Sequence, residues 1–448
     1  MVGASTDAPT GTPSKEGFTT LGTTAQTAPV PGSPFSEGVR FFTDDDFNGA
    51  ARFAMSKATQ GVMDFGMVLA TLGRITDASP QSWLQEWVHT GQQLERQATT
   101  SSAAGHALSA GWFLLGAAEC YSRALAFIAG MDDDSALLPT FQAHRRCWDA
   151  FLHHTRGQHL AVRVPYEDAT LPGYLFRPDA TGTARTTLVI TNGSDGSLSG
   201  LWAEGIATGL ARGWNVFVYD GPGQQSMLFE HGVPFRHDWE HVLTPVVDTL
   251  LEREDVDERR LVASGISQGG YWLPRALAFE HRFVAAAVDG GVWDVSRTWN
   301  ANLPEPMLQL LAVGDRDTFD QYMASGPADP VQERTFRFRA RPYGPFTSAF
   351  DLFTAVSRYR LDEVATSITT PMLVCDPDDE EFFPGQPQQL YDALTCEKEL
   401  ARFRREDGAN HHCEPWARTL VGARMCDFFD RHLEQAPQRT VLQPAPGS

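Results

Sequence analysis

The sequence predicts an α/β protein in which an N-terminal helical cap domain precedes a mainly parallel, doubly wound sheet. Three observations support this fold class. Residues 1–35 contain almost no large apolar side chain, residues 36–156 carry apolar side chains at helical spacing, and residues 157–434 alternate short β-rich segments with helical segments. Alternation of this kind is typical of parallel strands joined by crossover helices on both faces of a sheet.

The two ends of the chain have compositions that do not support a packed core. Residues 1–35 consist mainly of Thr, Ser, Ala, Pro and Gly, so we expect a disordered leader. The proline-containing residues 435–448 are interpreted in the same way, as a flexible tail. The leader lacks a basic start followed by an apolar segment, so we expect no signal peptide and a cytoplasmic protein.

Residues 36–156 are predicted to form the helical cap domain. Apolar residues recur there at spacings of three and four, most clearly at 83–88 and 141–152. The most apolar stretch, residues 106–130, is interrupted by Glu119 and Arg123, so we interpret it as a buried helix rather than a membrane span. The acidic run at 132–134 is predicted to be a solvated loop between helices.

Residues 157–434 are predicted to form the sheet domain. We expect a leading hairpin at 162–164 and 173–176, helices at 201–212, 239–253 and 271–281, and buried strands at 187–191, 215–219, 260–264, 283–288, 372–375 and 398–404. Residues 296–360 are less regular and rich in Arg and Phe, and they are interpreted as an insertion over the sheet.

Composition excludes several classes of function. The 448 residues include 36 Lys and Arg against 56 Asp and Glu, which gives a formal charge of −20. Such a charge repels polyphosphate and argues against nucleic acid or an anionic membrane as the main partner. The six cysteines form no CxxC pair, so we expect reduced thiols and neither a disulfide framework nor a zinc knuckle.

The strongest chemical signal is the segment Gly-Ile-Ser-Gln-Gly at 265–269. It follows a predicted strand and precedes a predicted helix. A serine on such a turn has an exposed hydroxyl, and the flanking glycines let the turn close without side-chain clashes. Ser267 is therefore the candidate nucleophile. The alternative is a glycine-rich turn whose serine merely caps the following helix.

A serine nucleophile needs a base, and in this architecture the base lies in the loop after the last strand. Two adjacent histidines, His411 and His412, occupy that loop. Either one is a candidate base, and the alternative for each is an ordinary surface histidine. Metal binding by the His-His-Cys run is disfavoured, because adjacent side chains on a loop seldom converge on one ion.

The acid that orients the base is expected after the preceding strand, where residues 376–381 contain five carboxylates. Glu380 is our first choice, with Asp379 and Asp378 as alternatives. The remaining carboxylates of this segment are interpreted as a solvated acidic loop.

An oxyanion hole requires two backbone N–H groups. One is expected from Gln268 and the other from the loop after the strand at 187–191, at Gly193 or Ser194. Asp195 in the same loop is a candidate for binding a substrate hydroxyl or for acting as a second acid/base. Its alternative role is to cap a helix beginning near Leu198.

A second glycine-rich turn lies at 219–224, directly after a predicted strand. It lacks the GxxxxGK[ST] pattern of a phosphate-binding loop, so nucleotide binding is disfavoured. We interpret the turn as structural, with Asp220 bonded mostly to local backbone.

In combination these features resemble the α/β-hydrolases. The similarity is closest to the branch that contains the FrsA-like esterases, the Ayg-type heptaketide hydrolases and 2,6-dihydroxypseudooxynicotine hydrolase. It extends over most of residues 75–435, and its marks are Leu-Pro-Gly-Tyr-Leu at 171–175, Asp-Gly-Pro-Gly-Gln at 220–224, Asp-Trp-Glu at 238–240, Gly-Tyr at 270–271, Gly-Gln at 385–386 and Gly-Ala at 408–409 ahead of His-Cys at 412–413.

The resemblance implies an α/β-hydrolase fold whose helical domain covers the active site, a homodimer, and no cofactor or metal. It implies a triad in which Ser267 is the nucleophile and His412, which precedes a cysteine, is the base. The acid position corresponds to Glu380, where relatives usually carry Asp.

The resemblance also implies hydrolysis of a small-molecule carbonyl compound. Several relatives cleave a C–C bond next to a ketone in aromatic or polyketide-like substrates, a retro-Claisen outcome that proceeds through an acyl-enzyme. The same residues suit a carboxylesterase or lactonase. Acyl transfer, elimination or cyclisation on a biosynthetic intermediate is a further alternative, and a non-catalytic binding module is the alternative outside enzymes.

Overall fold

The computed structural model describes residues 39–155, 158–325 and 330–435. The predicted leader lies outside the described residues, as does the predicted tail apart from Gln435. From Asp45 to His153 the chain forms α1 (Asp45–Ser56), α2 (Phe65–Leu72), α3 (Pro80–Ala103), α4 (Ala107–Ala124), a 3₁₀ turn (Leu125–Gly130) and α5 (Leu137–His153).

Local signals explain where these helices begin. The side chain of Asp44 accepts a hydrogen bond from the Phe47 N–H at the start of α1, and Ser79 does the same for Ser82 at the start of α3. Trp83 is fully buried on the inner face of α3, as the spacing of apolar residues predicts.

The most apolar segment, Ala107–Gly130, is long and hydrophobic enough to cross a membrane by length and composition alone. Two thirds (67%) of an apolar stretch of 18 residues within it is buried inside the protein, and α4 packs between α3 and α5. These contacts are those of a core helix in a globular fold.

Eight strands follow and form one sheet in the order β1-β2-β4-β3-β5-β6-β7-β8. β1 and β2 form an antiparallel hairpin, β2 pairs antiparallel with β4, and the remaining pairs are parallel. The predicted sheet is therefore confirmed. The strands are β1 (His159–Tyr166), β2 (Ala169–Phe176), β3 (Arg185–Thr191), β4 (Asn215–Tyr219), β5 (Val256–Ile266), β6 (Ala285–Asp289), β7 (Met372–Pro377) and β8 (Lys398–Phe403).

Helices cover both faces of this sheet. Between β3 and β6 they are a π-helical segment (Trp202–Ile206), α6 (Ala207–Ala211), α7 (Gln225–Phe229), α8 (Glu240–Leu251) and α9 (Gly269–Leu277). No helix begins at Leu198, where the chain forms a turn, so that expectation was wrong. After β7 come α15 (Gln386–Ala393), a 3₁₀ turn (Arg405–Asp407) and α16 (Arg418–Gln435).

Residues 296–360 lie between β6 and β7 and are mostly helical. They contain α10 (Ser296–Asn300), α11 (Glu305–Val313), α12 (Arg316–Ser325), α13 (Pro330–Ala340), a 3₁₀ turn (Arg341–Tyr343) and α14 (Ala349–Val356). A further 3₁₀ turn (Ala365–Ser367) precedes β7.

The parallel register positions the site. Thr191 at the end of β3 pairs with Gly265 of β5, and Ile266 pairs with Asp289 at the end of β6. The loops that follow β3, β5, β6, β7 and β8 therefore emerge at one edge of the sheet, which is where ligands bind in folds of this class.

Candidate active site

Ser267 lies on a strained turn between β5 and α9. Its φ angle is +52°, which L-residues rarely adopt. A Cβ on Gly265 would lie 2.3 Å from the Gly269 carbonyl oxygen, and one on Gly269 would lie 2.5 Å from that of Thr191. The glycines at both positions are therefore needed for close backbone approach. The Ser267 N–H donates to the Asp289 carbonyl at 2.8 Å, which fixes the turn.

The loop after β8 brings His412 to this serine. The Ser267 hydroxyl donates to Nε2 of His412, with the two atoms 2.9 Å apart. On the other side of the imidazole, Nδ1 lies 2.8 Å from Oε2 of Glu380. The three side chains form one continuous chain of hydrogen bonds, in the geometry that activates a serine nucleophile.

Glu380 is held in place by backbone donors. Its Oε1 accepts from the N–H groups of Phe382 at 2.9 Å and Phe383 at 3.1 Å. These bonds fold the longer glutamate side chain back so that both carboxylate oxygens face Nδ1 of His412. The glutamate side chain therefore reaches the imidazole.

The neighbouring carboxylates have other partners, and only Asp378 is exposed as expected for a solvated acidic loop. Asp378 accepts from Arg404 at 3.2 Å, and Asp379 accepts from Arg405 at 2.5 Å and from Asn410. Neither carboxylate contacts His412, because both bond to residues 404–410 instead. The alternative assignments of the acid to Asp378 and Asp379 thus have no support in the geometry.

His411 points away from Ser267. Its Nδ1 lies 2.8 Å from Oε1 of Glu381, and Oε2 of that same carboxylate accepts the N–H of His412 at 2.7 Å. Arg52 of α1 also donates to Glu381, at 2.9 Å. In the part of the chain that the structure describes, no group of three or more His, Cys, Asp or Glu side chains is arranged to hold a metal ion.

Burial and charge act in opposite directions on the base. Complete burial by itself lowers the pKa of His412, because it disfavours the imidazolium. The charge and hydrogen bond of Glu380 overcome this effect and raise the pKa of His412 above its ordinary value. A base with a raised pKa accepts the serine proton more readily.

The loop after β3 approaches the nucleophile closely. A Cβ on Gly193 would lie 2.9 Å from the Ser267 Cβ. The Gly193 N–H donates to Oδ1 of Asn192 at 2.8 Å, which makes Gly193 a poor oxyanion donor and corrects that assignment. Among the described residues, the N–H groups of Ser194 and Gln268 have no acceptor, and these are the backbone donors that remain.

Gln224 braces this loop, a role that sequence reasoning missed. Its Nε2 donates to the carbonyls of Asn192 at 2.9 Å and Gly193 at 3.0 Å, and its Oε1 accepts the Gly221 N–H. The only available signal was its position at the end of the glycine-rich turn after β4. That turn is structural, as expected, and Asp220 accepts from Ser226 as well as from Arg145 of α5.

Asp195 lies in the same loop, but its side chain is exposed. Its backbone carbonyl accepts from Gln225 at 3.2 Å, while its carboxylate makes no hydrogen bond to any described residue. It caps no helix, because a turn follows at 198–200.

A buried ionic cluster lies behind the turn of Ser267. Arg418 of α16 contacts the carboxylate of Asp289 at 2.5 Å. Burial would raise the pKa of Asp289, but Arg418 holds it below its ordinary value. Glu414 is affected oppositely, because burial and the charge of Asp289 raise its pKa. Arg418 thus holds the side chain of the same residue, Asp289, whose backbone carbonyl accepts the Ser267 N–H. Sequence patterns contained no signal for this cluster.

Aromatic side chains form one wall of the site. The rings of Phe382 and Phe383 lie 4.7 and 5.8 Å from the His412 imidazole, and the Tyr343 hydroxyl lies 3.4 Å from Oε1 of Gln268. A cavity of about 320 Å³ lies beyond Tyr343 and is lined by Phe235, Arg236, His237, Asp238, Ala355, Arg358 and Tyr359. Ser267, His412 and Glu380 do not line this cavity.

Comparison with known proteins agrees with this architecture. Residues 211–436 match the model of the prolyl oligopeptidase family. The hydrolase LUC6 of Fusarium sp is 33% identical over 386 residues, covering 82% of this chain and 91% of the relative. The 20-hydroxy-prefusarin hydrolase FUS2 of Gibberella moniliformis is 30% identical over 275 residues, covering 59% of this chain and 65% of the relative.

Two solved structures share the fold. The 2,6-dihydroxy-pseudo-oxynicotine hydrolase superposes with a TM-score of 0.63 at 17% identity, covering 87% of this chain and 99% of that one. AbyA5 superposes with a TM-score of 0.57 at 17% identity, covering 83% of this chain and 94% of AbyA5. Both cover the helical region as well as the sheet.

Proposed function

Because this chain belongs to the α/β-hydrolases, with a match to their prolyl oligopeptidase family over residues 211–436, we propose that it hydrolyses a carbonyl compound through an acyl-enzyme on Ser267. The observation that carries this proposal is the continuous hydrogen-bond chain from Ser267 through His412 to Glu380. His412 is the general base, and Glu380 orients it and stabilises its charged form.

In the first half of the reaction, the Ser267 oxygen bonds to the substrate carbonyl carbon as its proton passes to Nε2 of His412. In this proposal the N–H groups of Gln268 and Ser194 stabilise the oxyanion of the resulting adduct. The adduct collapses by breaking the bond to the leaving group, which takes the proton from His412. Water, deprotonated by His412, then releases the acid and restores Ser267.

We propose further that the scissile bond is a C–C bond next to a ketone in an aromatic or polyketide-like substrate. The leaving carbon departs as a stabilised enolate or phenolate-type carbanion, which His412 then protonates. Two similar proteins support this substrate class by their names, which specify 20-hydroxy-prefusarin and 2,6-dihydroxy-pseudo-oxynicotine as what they hydrolyse.

One observation favours hydrolysis of an ester or lactone as a second candidate. The carboxylate of Asp195 is exposed and makes no hydrogen bond within the described residues, so it gives no sign of serving as a second acid. An ester needs no additional proton donor, because an alkoxide leaving group takes its proton from His412.

A product assay separates these candidates. Purified protein is incubated with butyrylphloroglucinol, an acylated polyhydroxyarene, and separately with 4-nitrophenyl butyrate, and the products are identified by mass spectrometry. Release of phloroglucinol and butyrate supports C–C hydrolysis, and release from the ester alone supports the esterase.

The Ser267→Ala variant tests the nucleophile in the same assay. It should lower turnover by at least about 10³-fold, since both the attacking oxygen and the acyl-enzyme are lost. It should also lose labelling by a fluorophosphonate probe. The exposed serine of the helical region gives a matched control, Ser135→Ala, which should leave both readouts unchanged. Undiminished turnover or labelling of Ser267→Ala would contradict the proposal.

A further inference from the structure

Helix α13 of the segment between β6 and β7 packs against the helical region. A Cβ on Gly130 would lie 2.5 Å from the Arg334 carbonyl oxygen, so the two backbones are in close contact. Thr335 bonds to Asp46 of α1 at 3.1 Å. These contacts join α13 to the helical region.

Two arginines, one in α13 and one directly after it, have acidic partners in the helical region. Arg337 donates to Asp132 at 2.9 Å, and Arg341 donates to Asp134 at 2.6 Å. The acidic run at 132–134, expected to be a solvated loop, therefore contacts this segment. These pairs lie at the surface, where they contribute little to stability but help to align the two parts.

Arg339 differs from them in its surroundings. Its guanidinium carbon lies 5.4 Å from the centre of the Phe382 ring, and that ring lies 4.7 Å from the His412 imidazole. Its Nε, like that of Arg337, is buried and has no hydrogen-bond acceptor among the described residues. Nor does the side chain form an ion pair with any carboxylate that the structure describes, although the protein carries a net charge of −20.

A second buried donor without an acceptor lies next to the nucleophile. Nε2 of Gln268 is buried and makes no hydrogen bond to the described residues, while its Oε1 faces the Tyr343 hydroxyl. Burial raises the pKa of Tyr343, and the nearby charge of Arg339 acts in the opposite direction. Arg339 is thus close to both Phe382 and Tyr343, on the side of the site where Gln268 lies.

Buried donors without acceptors are costly unless a ligand satisfies them. A guanidinium suits a carboxylate, an ionised phenol or the enolate of a 1,3-dicarbonyl compound, all of which present anionic oxygen. We propose that Arg339 binds an anionic oxygen of the substrate and selects acidic carbonyl compounds over neutral ones. This inference rests on the proposed function, because it assigns the substrate class of the same site.

The carboxylate of Asp46 does not account for Arg339. Burial raises the pKa of Asp46, with the hydrogen bond from Thr335 and the charge of Arg339 acting against this rise. Asp46 bonds to Thr335, and no ion pair joins it to Arg339 within the described residues. The guanidinium therefore remains available to a substrate.

Matched ester probes test the proposal in the full-length protein. The neutral probe is 4-nitrophenyl butyrate. The acidic probes are 4-nitrophenyl hydrogen glutarate, with its carboxylate on the acyl side, and 4-butyryloxybenzoate, with its carboxylate on the leaving side. Arg339→Gln should lower kcat/KM for at least one acidic probe by about 10- to 100-fold and leave the neutral probe within about twofold. The acidic probe that responds identifies the side that Arg339 contacts.

Arg337→Gln is the control, because it removes the same charge from the same helix, where the guanidinium of Arg337 already has Asp132 as its acidic partner. It should affect acidic and neutral probes equally. The proposal would be overturned if Arg339→Gln and Arg337→Gln lowered kcat/KM for the acidic probes equally. It would also be overturned if Arg339→Gln lowered kcat/KM equally for the neutral and the acidic probes.

A binding measurement keeps the test independent of turnover. In the Ser267→Ala background, calorimetry compares 2,4-dihydroxybenzoate with its neutral amide. Adding Arg339→Gln should weaken binding of the acid by about 10-fold or more and leave the amide unchanged. If the acid binds no more tightly than the amide when Arg339 is present, the proposal is wrong. Absence of ester turnover would count against the proposed function alone.

Discussion

Glu380 shows how one residue depends on its backbone surroundings. Two N–H groups, from Phe382 and Phe383, hold one carboxylate oxygen, and His412 contacts the carboxylate on its other side. Its side chain is only 3% exposed, so water scarcely screens its charge from the imidazole. The negative charge is therefore the main reason that the pKa of His412 is raised.

Glu380→Gln should lower kcat/KM by about 10³- to 10⁴-fold, because the imidazole loses the group that sets its tautomer and stabilises its charge. Loss of the negative charge should also lower the pKa of His412. Since only the neutral imidazole accepts the serine proton, the acidic limb of the kcat/KM profile should move to lower pH. Initial rates measured across the pH range test both effects.

Asp378→Asn is the matched control for this change. Asp378 bonds to Arg404 and to the Arg405 N–H at the surface and does not contact His412. Its kcat/KM and acidic limb should stay close to those of the unmodified protein. If Asp378→Asn reproduced the losses of Glu380→Gln, the acid would have to be reassigned.

At the scale of elements, the loop after β3 and the turn after β5 depend on mutual contact. The carbonyls of Asn192 and Gly193 accept hydrogen bonds from Gln224. The N–H of Ser194, the next residue, has no acceptor in the described chain. Gly193 packs directly on Ser267. We therefore expect the spacing between these two elements to control the proposed oxyanion hole.

Gly193→Ala should separate the two elements. The new Cβ would lie 2.9 Å from the Ser267 Cβ and 3.2 Å from the Ile266 carbonyl oxygen, so the loop has to move. We expect kcat to fall by about 10²- to 10³-fold, the loss associated with one oxyanion donor, while KM changes little. Steady-state kinetics on the ester probe measure both constants.

Gly66→Ala serves as the comparison for that substitution. Gly66 lies in α2 with open space around its Cβ position and an ordinary backbone conformation. Alanine there should leave kcat unchanged and raise stability slightly, because it favours the helix. Full activity in Gly193→Ala would show that the loop does not supply an oxyanion donor.

On the scale of the whole molecule, the helical region and the sheet are joined by buried polar contacts as well as by apolar packing. Lys57, at the end of α1, is 2% exposed and forms an ion pair with Glu204 of the π-helical segment. The backbone carbonyl of Glu204 in turn accepts from Arg418, which belongs to the cluster behind Ser267. The helical region is thereby linked to the support of the active site.

Lys57→Met should lower the free energy of unfolding by about 3 kcal/mol, because it leaves the Glu204 carboxylate without its cation in a poorly solvated position. Adding Glu204→Gln should restore part of this loss, since the uncompensated charge is removed. Urea titrations followed by circular dichroism measure the free energy of unfolding of the unmodified protein, of the two single variants and of the double variant, which together form a double-mutant cycle.

The exposed pair of Arg40 and Asp45 provides the control for this cycle. Arg40→Met should change the free energy of unfolding by less than about 1 kcal/mol, because water already screens the charges. An equally small effect of Lys57→Met would show that the buried pair does not connect the two parts energetically.

The sequence by itself determined the strands, the turn that carries Ser267 and the loops in which its partners lie. These features depend on residues close together in the chain, since strand periodicity and paired glycines act over a few positions. It also contained the motifs of the α/β-hydrolase family, which the comparisons confirm.

Only the tertiary structure decided which side chains meet. Glu380 reaches His412 because backbone N–H groups fold it back, while Asp378 and Asp379 bond to arginines after β8. Likewise, Gln224 braces the loop after β3, and Arg339 lies over Phe382. Contacts between residues far apart in sequence arise only when the sheet is assembled and the segment between β6 and β7 packs on the helical region, so no local pattern encodes them.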